Sequence, residues 1–207
     1  MTDKNDAADI AWMRKLAEEG ATAPFRGASI LMAAGLIFGA ASVLHWSVVN
    51  GLVALPPVAF SSVWGVATLL FVGLIFIIRA RQRRSEGVVT AANRAAGVAW
   101  SAVGFGIFFF GFSMGAVGYR SGDHAAMSGL LALIPSVVMV FYGMGWAVTG
   151  AMLKSRPLWW LAVASFLAAP LLGLLAGEQI QFLAYAGALF LLMALPGWML
   201  MRQAGRA

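Results

Sequence analysis

The chain contains no cysteine among its 207 residues. That excludes disulfides, thiolate metal sites, iron–sulfur clusters and a cysteine nucleophile together. Charge is also scarce, at 11% of residues, against about 25% in a soluble domain. The scarcity is uneven. Gly27–Ile78, Ala95–Tyr119, Ala125–Leu153, Pro157–Gly177 and Gln179–Met201 hold no Asp, Glu, Lys or Arg at all. Proton relays, voltage sensors and ion-coupled transport place ionisable residues inside the membrane, so these functions lose their usual machinery. The motifs H-E-x-x-H, G-x-S-x-G and the P-loop are missing too, and with them the signatures of zinc proteases, serine hydrolases and P-loop nucleotide hydrolysis.

What fills the chain instead is apolar, with 61% hydrophobic residues. A ~30 Å hydrocarbon core needs about 20 residues at a rise of about 1.5 Å each. The charge-free runs meet that length, and the first is long enough for two spans. Asn50-Gly51 and Pro56-Pro57 divide it, because a double proline cannot continue a helix but opens the next one well. The reading is an all-α polytopic membrane protein with six transmembrane helices: about Gly27–Val49, Pro57–Arg79, Ala95–Tyr119, Ala126–Leu153, Pro157–Ala176 and Ile180–Met201. Residues 1–26 form an N-terminal arm, 27–201 the bundle and 202–207 a tail.

Orientation follows from lysine and arginine in the short loops. Of fourteen such residues, thirteen fall on one side and Arg120 alone on the other. Both termini are therefore expected in the cytoplasm, with the helices paired as three outward hairpins. Met1-Thr2-Asp3-Lys4 lacks the basic start of a secretory signal. Arginine exceeds lysine, and alanine and glycine abound, which suits a bacterial chain; the expected location is the bacterial inner membrane. The net charge of +6 reflects those flanks, so no nucleic-acid partner is expected. Trp46, Tyr119 and Tyr185 are placed in the outer aromatic belt and Trp159, Trp160 and Trp198 in the inner one. Trp64, Trp100 and Trp146 read as packing residues.

Three features bear on function. First, Asp9–Gly20 reads as a short amphipathic helix. Ile10, Trp12, Met13, Leu16 and Ala17 share one face, which suits the lipid interface or a protein partner. Second, Gly35–Gly39 and Gly111–Gly115 are small-xxx-small faces, expected to pack within the chain or else to meet a partner. Pro135, Pro170 and Pro196 interrupt the last three helices. Such breaks mark substrate sites in transporters but are more commonly tolerated kinks. Third, His45, Asp123, His124 and Glu178 gather at the expected outer face. They form a candidate ligand site, since imidazoles and carboxylates bind divalent ions; no metal or cofactor is identified by their spacing. Ser62, Thr68, Ser101, Ser113, Ser136, Tyr142, Thr149 and Ser165 read as helix-contact or back-bonding groups. The functional expectation is a membrane protein that acts by binding, as a regulatory, sensory or assembly partner. A small uncoupled transporter or channel-like protein is the alternative.

Overall fold

A computed structural model describes Trp12 and residues 25–84, 90–122 and 124–204, without the side chains of residues 61, 83–84 and 124–126. Among the described residues the chain is all-helical. Its elements are α1 (Ala28–Val49), α2 (Pro57–Arg84), α3 (Ala91–Ser121), α4 (His124–Leu131), α5 (Ile134–Met152), α6 (Arg156–Leu174), α7 (Ile180–Leu189), a π-helical turn (Phe190–Ala194) and α8 (Leu195–Ala204). Six helical stretches are long and apolar enough to cross a membrane. The fourth spans α4 and α5, and the sixth runs through α7, the π turn and α8. The amphipathic helix expected over Asp9–Gly20 lies outside the described residues, apart from the exposed Trp12.

Local chemistry sets the ends. Asn50 caps α1, its backbone N–H and its side chain both donating to Trp46 O. Pro57 opens α2, as its fixed φ and missing N–H favour. Thr90 caps α3, its hydroxyl accepting from Asn93 N at 3.2 Å, and Gly122 ends it at φ +63°. The left-handed conformation costs glycine nothing. Helices α2 and α3 overrun the expected bounds on either side of the basic loop, so Arg81 and Arg94 sit on helices.

The prolines break the helices in different ways. Span four breaks at Ala132-Leu133, and Pro135 becomes the second residue of α5. Pro170 lies inside a continuous α6. Pro196 follows the π turn as the second residue of α8, where an added residue per turn accommodates a ring that cannot fit the regular ladder.

Packing divides the bundle into a centre and two flanks. Helix α1 packs along α7, the π turn and α8, while α5 packs on α6 and on α3. Close approach of α1 to the sixth span depends on glycine. A Cβ on Gly35 would collide with Ala194 N and lie 2.8 Å from Ala194 Cα. A Cβ on Gly197 would stand 2.6 Å from Met32 N and 2.7 Å from Ala28 O. Met139, Trp146, Ala162 and Leu189 are sealed from solvent in this core. Helix α2 packs on α1 and α3 on α5, whereas among the described residues α2 and α3 meet little, with Arg79 Nη2 donating to Ser101 Oγ at 3.5 Å. Only 6% of span two and 11% of span three is buried, against 44% of span one and 39% of span six. Spans two and three are thus flanking arms.

Two sequence expectations are corrected here. Gly35 and Gly39 pack within the chain, Gly39 against the Phe190 ring, but nothing described lies within 4 Å of a Cβ on Gly111 or Gly115. The second small-residue face therefore does not pack within the described chain, because α3 turns it away from α5. Tyr185 is not a belt residue. It is 5% exposed because it lies on the same row as Gln181 and Leu189, and that row faces the core.

At one end of the bundle, Gln82 Nε2 donates to Arg26 O at 2.7 Å and Arg26 N donates to Asn93 Oδ1 at 3.2 Å. A cavity of about 270 Å³ there is lined by Phe25, Arg26, Ala28, Ser29, Met201 and Ala204. At the other end, Gln181, 1% exposed, joins the start of the sixth span to the ends of α4 and α6.

Candidate functional site

Most polar groups inside the spans have a local role. Ser62, Thr68, Ser101, Ser113, Thr149 and Ser165 each donate to a carbonyl three or four residues earlier in their own helix. This is the usual way a helix in lipid satisfies a small hydroxyl.

Larger polar groups answer the helix breaks. Pro196 has no N–H to give to Leu192 O, four residues earlier. Trp146 Nε1 donates to that carbonyl at 3.0 Å instead. At the break before Pro135, Ala132 O accepts from Gln181 Nε2 at 2.6 Å, and the same nitrogen donates to Leu172 O at 3.1 Å. The carbonyl released by Pro196 and one at the break before Pro135 are therefore occupied by this chain's own side chains.

His45 lies on α1, turned towards α2 and α7. Its ring stacks on Phe182 with centroids 3.8 Å apart and lies 4.7 Å from Phe60. Trp64 Nε1 donates to His45 Nδ1 at 3.1 Å. An indole N–H can only donate, so Nδ1 carries a lone pair and the ring proton resides on Nε2. The four residues expected to form an outer-face site are placed unequally. Glu178 is exposed in the turn after α6, and no hydrogen bond or ion pair joins it to His45. His124 begins α4, but its side chain lies outside the described residues, as does Asp123 altogether. Among the described residues no group of three His, Cys, Asp or Glu is placed to hold a metal.

A second constellation lies deeper. Trp64 of α2 faces Tyr185 of α7, with ring centroids 6.5 Å apart. Trp100 of α3 faces Tyr142 of α5 at 6.0 Å and meets Trp146 edge-on at 5.2 Å. The two flanking arms thus each bring a tryptophan to a tyrosine of the central helices. Both indole N–H groups are committed, Trp64 to His45 and Trp100 to Thr149 Oγ1 at 2.9 Å. They present faces, not donors.

The phenols differ. Tyr142 is 6% exposed and Tyr185 5%, yet neither hydroxyl has a hydrogen-bond partner among the described residues. Ser136 Oγ is the only described side-chain oxygen or nitrogen that is both sealed and unpartnered. The phenol oxygens, unpartnered as well, keep a trace of exposure.

Tyr142 was visible in the sequence as an intramembrane polar group, but the inward turn of Tyr185 was not. The i, i+4 row Gln181, Tyr185, Leu189 is the signal that points Tyr185 inward. Chemically the site is neutral and aromatic, and it offers two hydroxyls, each a donor and an acceptor. Comparison with known protein families, curated proteins and solved structures finds no match to this chain.

Proposed function

We propose that this is a multi-pass protein of the bacterial inner membrane that acts by binding, as a regulatory, sensory or assembly component. Both termini face the cytoplasm, the spans form three outward hairpins, and the N-terminal amphipathic arm lies at the inner interface, where a cytosolic partner can reach it. Support for the orientation comes from the basic residues, which segregate thirteen to one across the loops.

The observation that carries the binding reading is the combination of a filled core with two buried phenols that have no hydrogen-bond partner among the described residues. The core between α1, α5, α6 and the sixth span is closed by Trp146, Met139 and Leu189. The carbonyls at Ala132 and Leu192, which a transporter would present to substrate, already have side-chain partners. The polar groups left without partners there carry no charge, which suits recognition better than reaction.

Isolation from native membranes in mild detergent tests this. The expected result is a stoichiometric companion, either a protein or a small molecule, by native mass spectrometry. Repeated recovery of the bare chain under conditions that preserve other membrane complexes would count against the role.

A further inference from the structure

We propose that the His45–Trp64 contact is a proton-operated latch. It holds the start of α2 against α1 while the His45 ring is neutral, and it releases α2 when the ring takes up a proton. The inference rests on the reading above only for its purpose, giving the sensory form of that role a stimulus.

The contact has a direction. Trp64 Nε1 donates to His45 Nδ1 at 3.1 Å, and an indole nitrogen has no lone pair to offer in return. A proton on Nδ1 therefore turns the bond into two N–H groups aimed at each other. The stack of His45 on Phe182 of α7, with centroids 3.8 Å apart, responds the other way, because a ring face attracts a cation. Protonation thus cancels the hold of α1 on α2 and keeps its hold on α7.

No neighbouring charge masks the effect. The ring meets Phe60 and Trp64 from α2 and Phe182 from α7. Helix α1, helix α7 and the residues of α2 up to Ile78 contain no Asp, Glu, Lys or Arg and no second histidine. The phenol nearest this group is Tyr185, which faces Trp64. Glu178, in the turn before α7, makes no hydrogen bond or ion pair with His45. The side chains of Asp123 and His124 lie outside the described residues. His45 is partly exposed, so protons reach it.

Little else holds α2 there. The joint with α1 has a small core of Ala41, Val63 and Ala67 and an edge-on contact of Phe38 with Phe71, and only 6% of span two is buried. At its other end α2 is pinned by Gln82 Nε2, which donates to Arg26 O at 2.7 Å. Of these two pins, only the one at Trp64 titrates with a histidine. Its release lets α2 swing about the Gln82 end.

The chain has no cysteine, so Val49→Cys and Val58→Cys place one spin label on α1 and one on α2, both at exposed positions. Pulsed electron spin resonance on the full chain in lipid nanodiscs reads their separation at about pH 8 and about pH 5, on either side of the ordinary imidazole value of about 6.5. A single short distance is expected at the higher pH. A longer one should appear at the lower pH, with the open-to-closed ratio raised about tenfold, as the loss of one hydrogen bond implies. His45→Asn puts an amide oxygen close to the place of Nδ1 and cannot titrate in this range, so it should stay closed at both values. Trp64→Phe removes the donor and should show the same open fraction at both. An unchanged distance in the wild type overturns the proposal. So does a shift of equal size in His45→Asn, which would put the responsible proton elsewhere. If α2 stays closed at both values while a stoichiometric companion still co-purifies, the latch falls and the binding role stands.

Discussion

Replacing Gly35 and Gly197 with alanine is expected to force α1 away from the sixth span and to destabilise the bundle more than any comparable change in the membrane-facing helices. The reason is where the added carbons would go. Each meets backbone of the facing helix, Ala194 from one side and Met32 with Ala28 from the other. A flexible side chain could swing aside, but a helix backbone must move as a unit. Overpacking of this kind costs about 1–3 kcal/mol per site. The two glycines share one interface, so their effects should not add. Gly111→Ala and Gly115→Ala are the internal controls. Nothing described lies within 4 Å of either added carbon, and exposed substitutions of this kind stay within about 0.5 kcal/mol or gain slightly from helix propensity. Thermal unfolding in detergent measures all four. Equal Tm losses for the Gly35 and Gly111 variants would contradict the packing described.

Trp146→Ala is expected to be the most damaging single truncation. Trp146 is fully buried, contacts Trp100 edge-on, and satisfies Leu192 O across the bundle. Removing a buried aromatic costs about 3–5 kcal/mol. The hydrogen bond itself can be isolated with Trp146→Phe, which keeps a ring and loses the donor; an orphaned carbonyl costs about 1–3 kcal/mol. Pro196→Ala supplies a backbone N–H four residues after Leu192. In that background the carbonyl regains a partner within its own helix, and the cost of Trp146→Phe should shrink. A double-mutant cycle on Trp146 and Pro196 therefore yields a coupling energy of about 0.6–1.7 kcal/mol, the range of interhelical hydrogen bonds in membranes. Strict additivity would show that Trp146 Nε1 does not serve the carbonyl that the proline releases.

The spans were legible in the sequence because hydrocarbon imposes one coarse requirement, length without charge. Pro56-Pro57 marked the first division for the same reason that Pro57 opens α2. The Gly35–Gly39 face was legible as packing, while the identical spacing at Gly111–Gly115 was not distinguishable from it. Spacing fixes which residues share a face, but not which face a neighbouring helix covers. Tyr185 was misplaced because depth was counted from the span end, while burial depends on rotation about the helix axis. Of the candidate site residues, His45 was singled out as lying within a span. Its partner, Trp64, comes from the next helix, nineteen positions away, and no local pattern announces such a contact. The Trp64–Tyr185 and Trp100–Tyr142 pairs are of the same kind. They arise from the order of helices around the bundle, which alternating apolar runs do not encode.

The central claim is that this bundle binds without conducting. Solute flux into liposomes bearing the purified chain tests it most directly. Rates for small sugars, amino acids and monovalent ions should match protein-free liposomes, because Trp146, Met139 and Leu189 close the core and the middle of each span carries no charge to draw ions through. Flux that saturates with one solute, scales with the protein-to-lipid ratio and is changed by substitution at Pro135, Pro170 or Tyr142 would contradict it.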